Sequence, residues 1–293
     1  MSARTKRLAL GTVQFGLTYG VANNAGQVGP DEASAIIRRA SRAGIDTLDT
    51  AVAYGDSEQR LGGLGMRDWK IVTKLPPVPP SITNVQAWVR ETVGGSLGRL
   101  GVDRLYGLLL HRSQDLLGPR GSMVHDTMQE LKDEGVVDRI GISIYAPSEL
   151  EPVSDRFALD LVQAPYNVFD RQIAASGWLS RLDAEGTEVH ARSAFLQGLL
   201  LMRSVDRPLK FARWESLWNR WDAWLGAQGM TPLQGAIRFV LAEDRIGRVV
   251  VGVDNSAQLE AILAAVEGPV ASPPPSLSSD DQDLINPSCW VDR

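Results

Sequence analysis

Apolar positions along the chain recur at two spacings. Short runs rich in leucine and β-branched residues occur at "LALGTV" (8–13), "GIDTLDT" (44–50), "WKIVTK" (69–74), "RLYGLLLH" (104–111), "DRIGIS" (138–143), "LDLVQA" (159–164), "TEVHAR" (187–192) and "IGRVVVG" (246–252). Between them lie helix-length stretches with apolar residues three and four apart, at 31–43, 56–65, 84–100, 121–135, 147–155, 171–184 and 231–243, with 256–266 after the last run. Eight strands, each followed by a helix, give the count of a (β/α)8 TIM barrel, an α/β fold. A doubly wound open sheet is the other architecture that such alternation can feed.

Helix boundaries support the count. "GPDEASAIIRRA" sets Pro30 and two acids in a first turn, and "SITNVQAWV" and "MTPLQGAI" each offer an Asn or Thr cap. "SRAGID", "LKDEGVVD" and "DAEGTEV" each stop a helix on glycine. Two segments depart from the repeat. Residues 199–230 form an insertion between the seventh strand and its helix, with Trp214, Trp218, Trp221 and Trp224 at helical spacing. They read as an extra helix packing its indoles on the barrel, or as a wall for substrate. The tail, 267–293, carries a PPP stiffener and turn residues and is expected to run over the surface of a single-domain protein, with Trp290 able to dock.

Composition narrows the function. With 293 residues and 44% hydrophobic content the chain can bury a large core. A formal net charge of -5 and the absence of a basic cluster give no reason to expect nucleic acid or an anionic membrane as partner. One cysteine, Cys289, excludes an internal disulfide and any multi-cysteine metal site. The apolar runs are too short to span a bilayer, and the N-terminus does not read as a signal peptide. The single cysteine fits a reducing cytoplasm. The oligomeric state is not legible.

In a barrel the C-terminal ends of the strands form one face, and chemistry sits there. Asp49 ends the second predicted strand, Lys74 the third and His111 the fourth, with Tyr54 on the loop above Asp49. Singly, each has a structural reading, as ion pair, packed aromatic or core histidine. Together they suggest a site, because burying an aspartate beside a lysine is a weak route to stability. The expectation is that Lys74 lowers the pKa of the Tyr54 phenol into a usable range, that Asp49 holds the lysine, and that a neutral His111 orients a carbonyl oxygen. Carbonyl reduction, with hydride from a cofactor, needs such a proton and no metal.

These residues lie in stretches that resemble the aldo-keto reductases. "DTAVAYGDSEQRLG" is similar to that family's DTAxxYGxSExxLG signature, "IVTK" to its lysine strand, and "LGVDRLYGLLLH" to its LGxDYxDLxxxH block. "IGIS" and "VQAPYNVFDR" resemble its fifth and sixth strands, and the likeness runs from about residue 8 to residue 266. It implies that Asp49, Tyr54, Lys74 and His111 are the catalytic four.

The resemblance also implies a nicotinamide cofactor path. Ser143 and Gln163 match the carboxamide-binding serine and glutamine, whereas Ile144 replaces the family's asparagine. "ARSAFLQGLL" matches the pyrophosphate loop through Ser193, Phe195, Gln197 and Gly198, with Arg192 where many relatives have an aromatic. "VGVDNSAQLEAIL" resembles GARxxEQLxxN, in which the arginine reads the 2′-phosphate of NADP; here Asp254 stands in that place and Ile262 replaces the asparagine. Gly11, Thr12, Gly252 and Gln258 complete the implied cofactor set. A carboxylate repels a 2′-phosphate and accepts a hydrogen bond from a free 2′-hydroxyl, so NAD(H) is expected over NADP(H).

No GxGxxG after a strand, GxxxxGK or HExxH occurs. The readings left open are an NAD(P)(H)-dependent oxidoreductase acting on a small carbonyl or sugar, and an NAD(H)-binding barrel with a regulatory role and little turnover.

Overall fold

The computed structural model describes residues 2–290. Eight parallel strands close into one barrel in chain order: β1 (Leu8–Gly11), β2 (Thr47–Asp49), β3 (Lys70–Leu75), β4 (Leu105–Leu110), β5 (Val137–Ser143), β6 (Leu161–Pro165), β7 (Glu188–Arg192) and β8 (Arg248–Gly252). Closure is direct, since β1 pairs with β8 through Leu8↔Val249 to Gly11↔Gly252 and with β2 through Gly11↔Asp49. The open doubly wound sheet is thereby excluded.

The local signals act as their chemistry requires. Pro30 opens the helix Pro30–Arg42 with Asp31 and Glu32 in its first turn. The Asn84 side chain accepts from the Ala87 amide at 3.0 Å, and Thr231 and Gln234 form a reciprocal capping box at 3.2 and 2.9 Å. Gly135 turns the chain out of the helix Gly121–Asp133 at φ 76°, a conformation that costs a side-chain-bearing residue energy.

Three predicted elements change. The run 8–13 stops at Gly11, and Val13–Gly16 makes one helical turn instead. The stretch 147–155, which carries Pro147 and Pro152, is a 3-10 turn followed by a four-residue helix, Glu151–Ser154. The stretch 171–184 is broken into Gln172–Ala175 and Trp178–Ala184 by Gly177 at φ 83°.

The inserted segment ends in the helix Glu215–Gln228. Trp218, Trp221 and Trp224 are buried there, with Trp218 and Trp221 against Phe169 at ring distances of 4.9 and 6.1 Å and Trp221 stacked on Trp224 at 5.4 Å. Two of the N–H groups are also spoken for, Trp221 donating to Leu200 O and Trp218 to Phe211 O. The tryptophans thus pack the insertion onto the barrel. The tail is less superficial than its composition suggests, because Leu277, Leu284 and Ile285 are buried and Trp290 meets Phe211 edge to face at 4.8 Å. Residues 291–293 of the predicted tail lie outside the described residues.

Candidate active site

At the C-terminal end of the barrel, period-two alternation turns Lys74 inward, two residues past the interior Val72. Its ammonium, 1% exposed, is held by both oxygens of Asp49 at 2.8 Å and by the carbonyl of Thr50 at 2.9 Å. Gln163 Nε2, arriving from β6, donates to Asp49 Oδ2 at 2.6 Å. Strands β2 and β6 are not neighbours in the barrel, so this bond crosses its interior. Burial lowers the pKa of Lys74, with Asp49 as the main opposing influence.

Tyr54 sits above this pair. The Lys74 nitrogen lies over its ring, 5.2 Å from the centroid, and the His111 ring meets it edge to face at 5.8 Å. The expected lowering of the phenol pKa is not what the structure produces. Burial raises it, Asp49 adds to the rise, and Arg192 opposes. The physical reason is that burial removes the water that would stabilise a phenolate and the Asp49 carboxylate repels one, while the three N–H groups of Lys74 are taken by Asp49 and Thr50. The neutral histidine is as expected, since burial and then Lys74 push His111 down to about 4.

The loop carrying Tyr54 is seated by close backbone approach. A Cβ on Gly16 would lie 1.7 Å from the Tyr54 carbonyl oxygen. Ser57 donates to the Thr12 carbonyl at 2.9 Å, and the buried Glu58 accepts from Thr73 at 2.6 Å and from Arg99 at 2.9 and 2.7 Å. The serine and glutamate of the motif therefore hold the loop that bears the tyrosine.

A cavity of about 370 Å³ opens beside Tyr54 and runs toward β1 and β8. It collects Gly11, Thr12, Asp49, Tyr54, Gln163, Arg192, Ser193, Phe195, Gln197, Gly198, Gly252, Asp254 and Gln258. Lys74, His111 and Ser143 do not line it. Lys74 stands behind Asp49, His111 flanks the Tyr54 ring, and Ser143 is buried in register with Gln163. None of the four tryptophans of the insertion reaches the cavity.

The wall after β7 is strained. Ser193, Leu196 and Gln197, at φ 59°, 49° and 53°, are the non-glycine residues with positive φ among the described residues. Such strain persists where the surroundings enforce it and clusters at ligand sites. A segment from the β1 loop crosses here. The hydroxyl of Tyr19 accepts from Gln197 at 3.0 Å, Asn23 donates to Asp254 at 3.1 Å, and a Cβ on Gly198 would come within 2.6 Å of the Ala22 Cβ. Sequence reasoning missed Gln14, Tyr19 and Asn23. The signal was the length of the connection between residues 12 and 30, which exceeds an ordinary βα loop.

Residues 7–272 match the model of the aldo/keto reductase family. The chain belongs to this family, whose members are oxidoreductases acting on carbonyl or alcohol substrates with pyridine nucleotides. It is 30% identical over 298 residues to a D-threo-aldose 1-dehydrogenase of a Pseudomonas species, covering 86% of this chain and 90% of that one. It is also 27% identical over 263 residues to L-galactose dehydrogenase of Arabidopsis thaliana, covering 82% and 80% of the two chains. An aldo-keto reductase of Bacillus halodurans in its holo form superposes with a TM-score of 0.74 at 23% identity, over 91% of this chain and 88% of that one, and shares the fold.

Proposed function

We propose that the protein interconverts an aldehyde, ketone or sugar lactol or lactone with its alcohol, with Tyr54 as general acid and base. The observation that carries this is the convergence of Asp49, Lys74, Tyr54 and His111 at one end of the barrel, beside a cavity long enough to approach β1 and β8.

The cavity's residues fit a nicotinamide dinucleotide. Gln14 Oε1 is a buried acceptor with no partner among the described residues, and a Cβ on Gly252 would collide with the Gln14 side chain at 2.5 Å. Gln163 and Ser193 would hold the nicotinamide and pyrophosphate ends, and Asp254 with Gln258 the adenosine. The bound nucleotide supplies or accepts hydride.

Tyr54 Oη then hands its proton to the substrate oxygen as charge develops there. Its raised pKa keeps it protonated at neutral pH, which suits reduction. Neutral His111 donates a hydrogen bond to the same oxygen and orients it. Arg192, which opposes the rise of the Tyr54 pKa, favours the phenolate that remains until water returns a proton.

Arg192 is the sole cationic side chain among the described residues lining the cavity, and it turns toward Ile144 and Tyr145 rather than toward the adenosine end. Asp254 therefore has no cation beside it there to read a 2′-phosphate, which supports NAD(H). The two relatives named for sugar dehydrogenation support a sugar lactol as substrate. The test is Tyr54→Phe assayed with NADH and NADPH against a panel of aldehydes and aldoses. Turnover should fall by about 10²–10⁴ while nucleotide binding persists. A native protein that binds nucleotide but turns over none of the panel would favour the regulatory reading.

A further inference from the structure

We infer that Arg192 forms a subsite for an anionic group, carboxylate or phosphate, on the substrate at the reacting end of the cavity. The inference rests on the reading that Tyr54 marks that end. Arg192 closes β7, but its side chain turns away from β8 and the Asp254 end. It crosses β6 to donate to the carbonyl of Ile144, just after β5, at 2.9 Å, and its guanidinium lies over the Tyr145 ring at 4.6 Å. A second bond goes to Ser193 Oγ at 3.2 Å. A guanidinium carries five N–H donors in a flat fork, and these two bonds leave three for a ligand.

Arg192 has no ion-pair partner among the described residues, although it is half-buried. Asp49 is already engaged by Lys74 and Gln163. Asp170, the other acid within electrostatic reach, is pushed up to about 7 by burial and bonds the Gln172 amide rather than Arg192. A partly desolvated cation without a counter-ion is costly unless something supplies one. Its stacking on Tyr145 fixes the plane of the fork, the geometry that suits two-point binding of carboxylate or phosphate.

The reach of Arg192 to Ile144 and Tyr145, away from Asp254, sets the guanidinium on the reacting side rather than at the adenosine end, and its charge is felt by Tyr54 and His111. An anionic carbonyl compound would thus place its charge at Arg192 and its carbonyl oxygen toward Tyr54 and His111.

The experiment compares binding of 4-carboxybenzaldehyde with that of its neutral isostere, 4-nitrobenzaldehyde. Both are titrated calorimetrically into protein saturated with oxidised nucleotide, so that no reduction occurs. The native protein should prefer the carboxylate by about 10–100-fold, the worth of one or two hydrogen bonds to a charged group. In Arg192→Met this ratio should fall to near one, and Arg192→Lys should keep part of it. The ratio cancels any loss common to both ligands, and the native ratio stands even if a variant folds poorly.

Equal affinities in the native protein, or a preference that survives in Arg192→Met, would overturn the inference; the latter would put the anion at Tyr54 and His111. Glyceraldehyde 3-phosphate against glyceraldehyde, titrated in the same way, separates phosphate from carboxylate as the preferred anion. Turnover of 4-nitrobenzaldehyde with reduced nucleotide, measured alongside, tests the oxidoreductase reading separately. A strong carboxylate preference without turnover would sink that reading and leave the anion subsite standing.

Discussion

Replacing Asp49 with Asn isolates what the buried pair does for the fold. Lys74 is 1% exposed and keeps its charge against desolvation through two 2.8 Å contacts to the carboxylate. An asparagine removes the countercharge, so the folded variant holds Lys74 neutral, whereas the unfolded chain protonates it with a pKa of about 10.4. At pH 7 that gap is about 3.4 pH units, which at about 1.4 kcal/mol per unit caps the loss near 4.6 kcal/mol. The expected destabilisation is therefore about 3–5 kcal/mol, as for other broken buried pairs.

The sign follows from proton counting. The unfolded variant binds one proton more than the folded one, so its stability rises with pH. By pH 9 the cap has shrunk to about 1.9 kcal/mol. The assay is urea denaturation followed by tryptophan fluorescence at pH 7 and 9, read as a midpoint shift at unchanged slope. A loss below about 1 kcal/mol at pH 7, or one of the same size at both pH values, would refute the reasoning. The double variant Asp49→Leu with Lys74→Met should recover most of the stability and none of the activity.

The pKa directions predict opposite pH profiles for the two reaction directions. With His111 neutral above about 4 and Tyr54 raised, the rate of reduction should stay flat from about pH 5.5 to 8.5, while oxidation should climb throughout; an inflection near 6.5 would implicate a titrating histidine instead. Asp254→Arg should shift the ratio of NADPH to NADH affinity upward at least about tenfold, measured by quenching of tryptophan fluorescence; an unchanged ratio would mean that Asp254 does not face the ribose. Gly16→Ala should cut turnover by more than about tenfold by displacing Tyr54, because its Cβ would sit 1.7 Å from the Tyr54 carbonyl; normal kinetics in a folded variant would show that the loop shifts without cost.

How much was legible depended on whether a feature is local. The alternation of apolar runs and helical spacing is a periodic signal carried by consecutive residues, so all eight strands and most helices could be read from it. Asp49, Lys74 and His111 were legible because each stands at a strand end, and a barrel puts such ends on one face. Tyr54 was legible from its place in the loop above. The breaks at Gly177 and in 147–155 were missed because apolar spacing continues across them.

What only the tertiary structure decided is where those side chains point and what else reaches them. The 2.6 Å bond from Gln163 to Asp49 joins residues 114 apart, and nothing in local pattern encodes it. The direction of the Tyr54 pKa depends on burial and on the nearness of Asp49, which are properties of the closed barrel. The crossing of the β1 loop to Gln197 and Asp254, the packing role of the tryptophans and the reach of Arg192 across β6 arise likewise. By itself the sequence determined eight alternating strands and helices with ionisable groups at the strand ends, because periodicity and strand polarity are one-dimensional; closure into a barrel came from the β1–β8 pairing. The electrostatics and shape of the site required three dimensions, because they depend on distances between residues far apart along the chain.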